Sequence, residues 1–155
     1  GGHDMVLVTL MVWHMDAGSW VRALELARYV IANGLVMPAD YTRTPAVILI
    51  DTAATAAQDG KLFGDEALRV LAEVAQLTDG HDAPDQARAK LYKAIGYALI
   101  GRTPTHTPDY TTLDESKARA AMAQFRRANE LFAQVGVKKD MERLERRLKN
   151  AAPDS

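Results

Sequence analysis

The sequence contains no cysteine, so neither a disulfide framework nor a zinc site with cysteine ligands can form. Serine occurs only at Ser19, Ser116 and Ser155, and no Gly-x-Ser-x-Gly or glycine-rich phosphate-binding motif is present. The longest apolar run, residues 5–13, is too short to span a bilayer and lacks the flanks of a signal peptide. These absences argue against acyl transfer, nucleotide hydrolysis and membrane insertion, and they favour a reducing compartment such as bacterial cytosol.

Histidines and carboxylates are present but do not form a convincing metal or nuclease motif. His3, Asp4 and His14 have no spacing that would bring ligands together. Residues 79–85 contain three aspartates but lack the glycine and terminal glutamate of a calcium loop, and they fit a turn and an acidic helix start better. We therefore expect no catalytic residue, no metal and no cofactor.

The size and composition fit one globular domain. The chain has 155 residues, of which 48% are hydrophobic and 25% charged. It begins with Gly-Gly rather than methionine, from which we expect that upstream sequence has been removed. We assign residues 1–149 to a helical assembly domain and residues 150–155 to a frayed tail.

Residues that typically begin or end helices recur along the chain and predict about seven helices. Ser19 is placed to cap a second helix, which Gly34 and Pro38 would end, and Thr44-Pro45 is a capping pair for a third. Asp4 is placed to cap the first helix. The other predicted helices run from about residue 65, 84, 114 and 137, and the last two end near residues 134 and 149. Residues 102–113, with two prolines and five threonines, form the clear loop.

The helices are expected to pair. Ala121, Phe125 and Ala128 have the A-x3-F-x2-A spacing of the second helix in a tetratricopeptide-type hairpin, where small residues allow a close approach. No strict 34-residue period is present. We predict an all-α fold of antiparallel helical hairpins in a tetratricopeptide-like stack.

Charge is distributed unevenly. Residues 1–113 hold 9 basic and 13 acidic side chains, whereas residues 114–149 hold 10 basic and 6 acidic ones. A basic C-terminal face could contact DNA phosphates or dock a partner protein, although interleaved Asp140, Glu142 and Glu145 also fit a solvated helix with local ion pairs. The candidate residues for this face are Arg126, Arg127, Lys138, Lys139, Arg143, Arg146 and Arg147.

The first predicted helix, Met5 to about His14, is apolar nearly all round. Such a helix is either buried on several sides or covered by another subunit. If it lies in an interface, the residues we expect there are Met5, Leu10, Trp13 and Trp20.

Several ordered strings resemble one known family. They are residues 3–14 (HDMVLVTLMVWH), continuing through residues 23–27 to Gly34 and Pro38, and residues 135–148 (VGVKKDMERLERRL). Between them, residues 43–45 and 88–94 (RAKLYKA) also match. In these strings the chain resembles the middle and C-terminal parts of small terminase subunits of temperate phages that cut packaged DNA at cohesive ends.

The resemblance implies a role in phage DNA packaging in the host bacterial cytoplasm. It implies recognition of the cohesive-end site region on double-stranded DNA, assembly with a large ATPase and nuclease subunit, and self-association, in some members as rings. Family members are often labelled an endonuclease subunit, although in terminases generally the large subunit carries the nuclease. The resemblance also implies that an N-terminal DNA-binding portion is missing here.

Two other functions remain open from the sequence. Paired helices could form a groove that binds a peptide, as in a tetratricopeptide-like adaptor. The family label leaves room for a true endonuclease, which a metal-dependent cleavage assay would separate from the others.

Overall fold

The computed structural model describes residues 2–37 and 42–151, and of residues 2, 3 and 151 the backbone alone. Seven α-helices account for most of this part of the chain, which contains no strand longer than an isolated bridge. The predicted all-α class is therefore confirmed. The helices are α1 (Gly2–Asp16), α2 (Trp20–Ala32), α3 (Pro45–Gln58), α4 (Gly64–Thr78), α5 (Asp85–Ile100), α6 (Glu115–Leu131) and α7 (Lys138–Ala151).

Consecutive helices pack as pairs: α1 with α2, α3 with α4, and α5 with α6. Helix α5 also contacts α3 and α4, and α7 packs on α6, so the pairs form one continuous stack. Within that stack, the largest interface joins α5 and α6. The arrangement fits the predicted stack of helical hairpins.

The α5–α6 interface shows why small residues matter in this fold. Ala121, Phe125 and Ala128 are fully buried, as their spacing predicts. Opposite them on α5, a side chain at Gly96 would overlap the Phe125 ring. The Tyr97 ring meets Phe125 edge-on, with centroids 5.8 Å apart. Glycine is therefore required at position 96 to seat the aromatic ring.

Most predicted helix boundaries are confirmed. The Thr44 side chain accepts a hydrogen bond from the Val47 amide and Pro45 begins α3. Gly101 ends α5 in the left-handed conformation, with φ of 75°. Gly34 follows the end of α2 with φ of 62°, while Pro38, the other predicted end signal, lies outside the described residues.

Three local predictions are wrong, and a fourth is confirmed in position only. Helix α1 begins at Gly2, so Asp4 lies inside its first turn rather than capping it. Ser19 occupies the N-cap position of α2, as predicted, but its side chain makes no capping hydrogen bond. Helix α6 ends at Leu131, because Phe132 adopts an extended conformation ahead of a short 3-10 helix, Ala133–Val135. Helix α7 continues to Ala151, two residues into the predicted tail, and residues 152–155 lie outside the described part.

The loop between α5 and α6 is more ordered than its composition predicts. It contains a single bridge between Thr103 and His106 and a 3-10 helix, Tyr110–Thr112. The Asp109 side chain caps this 3-10 helix by accepting from the Thr111 amide. Tyr110 is buried, which anchors the second half of the loop against α7.

Candidate nucleic-acid interface

A cleft lined by arginines lies between α7 and the second half of the loop. We call it the basic cleft, and its volume is about 550 Å³. Arg143, Arg146 and Arg147 line one side, and residues 108–111 line the other. The i, i+3, i+4 spacing of the arginines places them on one face of the helix, as predicted. Three of the predicted basic residues therefore converge on one cleft.

The opposite face of α7 explains why the arginines point outward. Val137 and Leu144 are fully buried, and Asp140 lies between them on the same stripe with only 3% of its surface exposed. Since the inward face is fixed by these residues, the rest of this highly charged helix must face solvent. The interpretation of Asp140 as part of a solvated charge pattern is wrong, because it lies on the buried stripe.

Asp140 is the centre of a buried polar network. Its Oδ1 atom accepts a hydrogen bond from Arg102 Nη1 at 2.5 Å and another from the Tyr110 hydroxyl at 2.6 Å. Burial and the hydrogen bond to the negatively charged Asp140 raise the pKa of Tyr110 to about 12. The network ties the end of α5, the loop and α7 together, so it holds both walls of the basic cleft in place.

Two of the arginines are also positioned by contacts of their own. The Arg143 guanidinium lies 5.4 Å from the centroid of the Tyr110 ring. Arg147 donates through Nε to the Leu113 carbonyl at 3.0 Å. Asp109, on the opposite wall, accepts from the Thr111 amide and hydroxyl, and these bonds lower its pKa. The cleft thus presents three cations and one ionised carboxylate.

The cleft arginines are not neutralised by neighbouring carboxylates. Among the residues that the structure describes, the ion pairs are Arg28–Glu73, Arg43–Asp51, Arg102–Asp140 and Arg119–Glu115. The local pairing with Glu142 and Glu145 that the sequence allowed is therefore absent from α7. Unpaired guanidinium groups held near one another are suited to bind phosphate groups.

The other four predicted basic residues lie outside the cleft. Lys138 and Lys139 are exposed at the start of α7, and Arg126 is exposed on α6. Arg127 donates to the Tyr92 hydroxyl at 2.7 Å and lies over its ring, in a separate groove that also includes Asp79, Asp82 and Glu130. The predicted basic residues therefore do not form a single continuous face.

The residues that the sequence predicts in a subunit interface differ in how exposed their side chains are. Met5 and Trp13 are 48% and 67% exposed on α1, whereas the buried face of that helix consists of Val8, Met11 and Met15. Leu10 is half-buried. Trp20 is 4% exposed and belongs to the core, so it cannot reach a partner without rearrangement.

Among the described side chains, those of residues 4–37 and 42–150, no three histidines or carboxylates come close enough together to hold a metal ion. The side chain of His3 lies outside this part of the chain. Within residues 2–37 and 42–151, no helix is long and apolar enough to cross a membrane.

Sequence comparisons place the chain among known proteins. The family model for the phage small terminase subunit matches residues 1–86. The chain is 39% identical over 150 residues to the "Terminase, endonuclease subunit" of Escherichia phage P2, an alignment that covers 96% of this chain. The chain spans 56% of the length of that relative. No solved structure matches. The family match and the identity to the phage P2 protein together show that the chain belongs to the phage small terminase subunit family.

Proposed function

We propose that this chain contacts double-stranded DNA through the basic cleft while it serves as a non-catalytic component of phage DNA packaging. The observation that carries the proposal is the set of three unpaired arginines on one face of α7, facing the loop across an open cleft. Fixed guanidinium groups bind phosphate oxygens by charge-assisted hydrogen bonds without reading bases. Binding by this cleft is therefore expected to be independent of sequence.

The wider packaging role is part of the same proposal. The family and the name of the phage P2 relative support a role as a terminase component. Recognition of the cohesive-end site region and assembly with a large ATPase and nuclease subunit are the finer parts of the proposal, and they follow from the resemblance described above. The arginine cleft supplies a backbone contact, and the selection of a site would require residues beyond it. Because the relative is considerably longer than this chain, site recognition is a proposal for the whole subunit.

The DNA contact is testable by the salt dependence of binding. Each phosphate that is neutralised contributes a slope of about -0.9 to the plot of log affinity against log salt concentration. Changing Arg143, Arg146 and Arg147 together to alanine should flatten that slope by up to about three units, measured by fluorescence anisotropy with a labelled duplex. The single variant Arg146→Gln should flatten it by about one unit, and it leaves the Arg147 and Arg143 contacts to the loop in place.

A matched control removes the same charge elsewhere. Arg22, Lys61 and Arg69 are exposed residues outside the basic cleft, and changing all three to alanine should leave the slope unchanged. If the control and the cleft variant flatten the slope equally, binding depends on net charge alone and the cleft is not the site. If neither changes it, docking of the large subunit becomes the better interpretation of this surface.

We also propose that α1 mediates self-association. Met5, Val6 and Trp13 are exposed apolar side chains spaced along this helix, and α1 contains no lysine or arginine. A second copy could cover this face without burying a lysine or an arginine. Trp13 is the expected anchor, because large aromatic residues dominate the binding energy of many interfaces.

A further inference from the structure

A second cleft with basic residues lies away from α7. It is formed by the C-terminal part of α3, the outer side of α5, the first half of the loop and the segment after α6, and its volume is about 510 Å³. Lys90, Lys93 and Arg102 are among the residues that line it, and no aspartate or glutamate is. We call it the α5 cleft. A cleft lined by three cations and no carboxylate favours an anionic ligand.

Lys93 is the most constrained cation of the α5 cleft. Its Nζ atom donates to the Val135 carbonyl at 2.8 Å and lies 5.5 Å from the centroid of the Tyr97 ring. An ammonium group has three donors, and this carbonyl is the only hydrogen-bond acceptor found for Lys93 Nζ among the described residues. Burial lowers the pKa of Lys93, and nearby Arg102 and Lys90 act in the same direction against the attraction of Asp140. The negative charge of a bound carboxylate would act against this lowering of the Lys93 pKa, because it stabilises the charged ammonium.

The Arg102 guanidinium is held in place by two contacts within the protein. One guanidinium nitrogen donates to Asp140, and the guanidinium carbon lies 4.6 Å from the centroid of the Tyr97 ring. These contacts fix the orientation of the group before any ligand arrives. Preorganised donors reduce the ordering cost of binding.

The lining of the α5 cleft fits a peptide better than a nucleic acid. Its volume is in the range of small-ligand sites, so a few residues of extended chain fit. Gln58, Gln86 and Gln134 line it and can both donate to and accept from backbone amides. The Tyr97 ring already contacts Lys93, Arg102 and Phe125, which leaves little of it for base stacking.

We propose that the α5 cleft binds an acidic peptide segment of a partner protein, with Lys93 and Arg102 holding a carboxylate and Lys90 at the rim. The site is separate from the basic cleft and does not depend on DNA binding there. It also gives the threonine-rich loop a role, because Thr103 and Thr107 line the site.

The test uses a fluorescein-labelled octapeptide of alternating glutamate and alanine, and a matched peptide with glutamine for glutamate. The wild-type chain should bind the glutamate peptide at least about tenfold more tightly, since one charge-assisted hydrogen bond is equivalent to about that factor. Lys93→Met should remove this preference and Lys90→Gln should reduce it. Lys117→Gln, which removes an exposed positive charge on α6 outside the cleft, should preserve it.

One further variant and a competing DNA duplex serve as controls. Thermal melts establish that each variant is folded. Thr107→Glu places a competing carboxylate in the cleft and should weaken binding of the glutamate peptide. If Lys93→Met is not folded, Lys90→Gln and Thr107→Glu test the proposal instead. Equal affinity for the two peptides in the wild-type chain would overturn the proposal. It would also be overturned if a short DNA duplex displaced the glutamate peptide and itself lost affinity in a folded Lys93→Met variant, which would make the cleft a DNA site.

Discussion

Helices α1 and α7 each leave one face uncovered, but they expose different kinds of residue on it. Each packs one face on its neighbour, α1 on α2 and α7 on α6, and leaves the other face uncovered. In α1 the uncovered side chains include Met5, Val6 and Trp13, and the only acidic residues are Asp4 and Asp16. In α7, 9 of 14 residues are charged, and three arginines converge on a cleft.

The two helices also differ in how they are attached. The buried face of α1 is apolar, with Val8, Met11 and Met15, so nonpolar burial holds it in place. The buried face of α7 includes Asp140 with its hydrogen bonds to Arg102 and Tyr110. A polar network fixes geometry more narrowly than apolar contact does, which suits a surface that must hold charged groups in position. This difference is the basis of our proposal of a protein partner for α1 and an anionic partner for α7.

The largest expected effect comes from breaking the attachment of α7. Arg102→Met removes the ion-pair partner of the buried Asp140 carboxylate, and it should lower the free energy of unfolding by about 3 kcal/mol. Urea denaturation measures this value. Arg28→Met, which breaks the exposed pair with Glu73, should cost less than about 1 kcal/mol. Equal losses in the two variants would show that the Asp140 network does not hold α7.

The next effect concerns the uncovered face of α1. Trp13→Ala should weaken self-association by about 2 kcal/mol and lower the assembly mass, because it removes the aromatic anchor. Sedimentation velocity over a range of concentrations measures the mass. Phe63→Ala removes an equally exposed aromatic ring, 65% exposed, from outside α1 and should leave the mass unchanged. A wild-type chain that stays monomeric at high concentration would contradict the α1 proposal.

A smaller effect is expected at Tyr110. Tyr110→Phe removes one of the two hydrogen bonds to Asp140 and should cost about 1.5 kcal/mol near neutral pH. Since the folded-state pKa of about 12 lies above the ordinary value of 10, this stabilisation is fully present below pH 10 and is lost as the pH rises through 12. Unfolding experiments between pH 7 and 12 should therefore show that the difference in free energy of unfolding between the wild type and Tyr110→Phe shrinks only above pH 10. A constant difference across that range would contradict the proposed role of the hydroxyl.

The sequence predicts the helices of this fold well because their ends are chemically marked. Thr44-Pro45 and Gly101 act locally, and local signals can be identified without the tertiary structure. The sequence predicts the end of α6 too late. Residues 133–135 form a 3-10 helix, and their sequence alone does not distinguish a 3-10 helix from a further turn of α-helix. The stripe Ala121, Phe125 and Ala128 predicts its own burial because its spacing is that of a close helix pair.

The candidate site was predicted less completely. The spacing of Arg143, Arg146 and Arg147 predicts a shared face, but nothing in it shows that the loop supplies the opposite wall. Asp140 lies three residues after Val137 and four before Leu144, so its place on an apolar stripe was a detectable sign of burial. Its partners Arg102 and Tyr110 are distant in sequence and could be identified only once α5, the loop and α7 were brought together.

The measurement that tests the contrast between α1 and α7 most directly is hydrogen exchange of the wild-type chain under two changes of condition. Adding a DNA duplex at low salt should slow amide exchange in α7 and in residues 108–113, and leave α1 unchanged. Diluting the protein without DNA should speed exchange in α1 and leave α7 unchanged. If DNA protects α1 while α7 and the loop stay as they were, the assignment of an anionic partner to α7 and a protein partner to α1 is wrong.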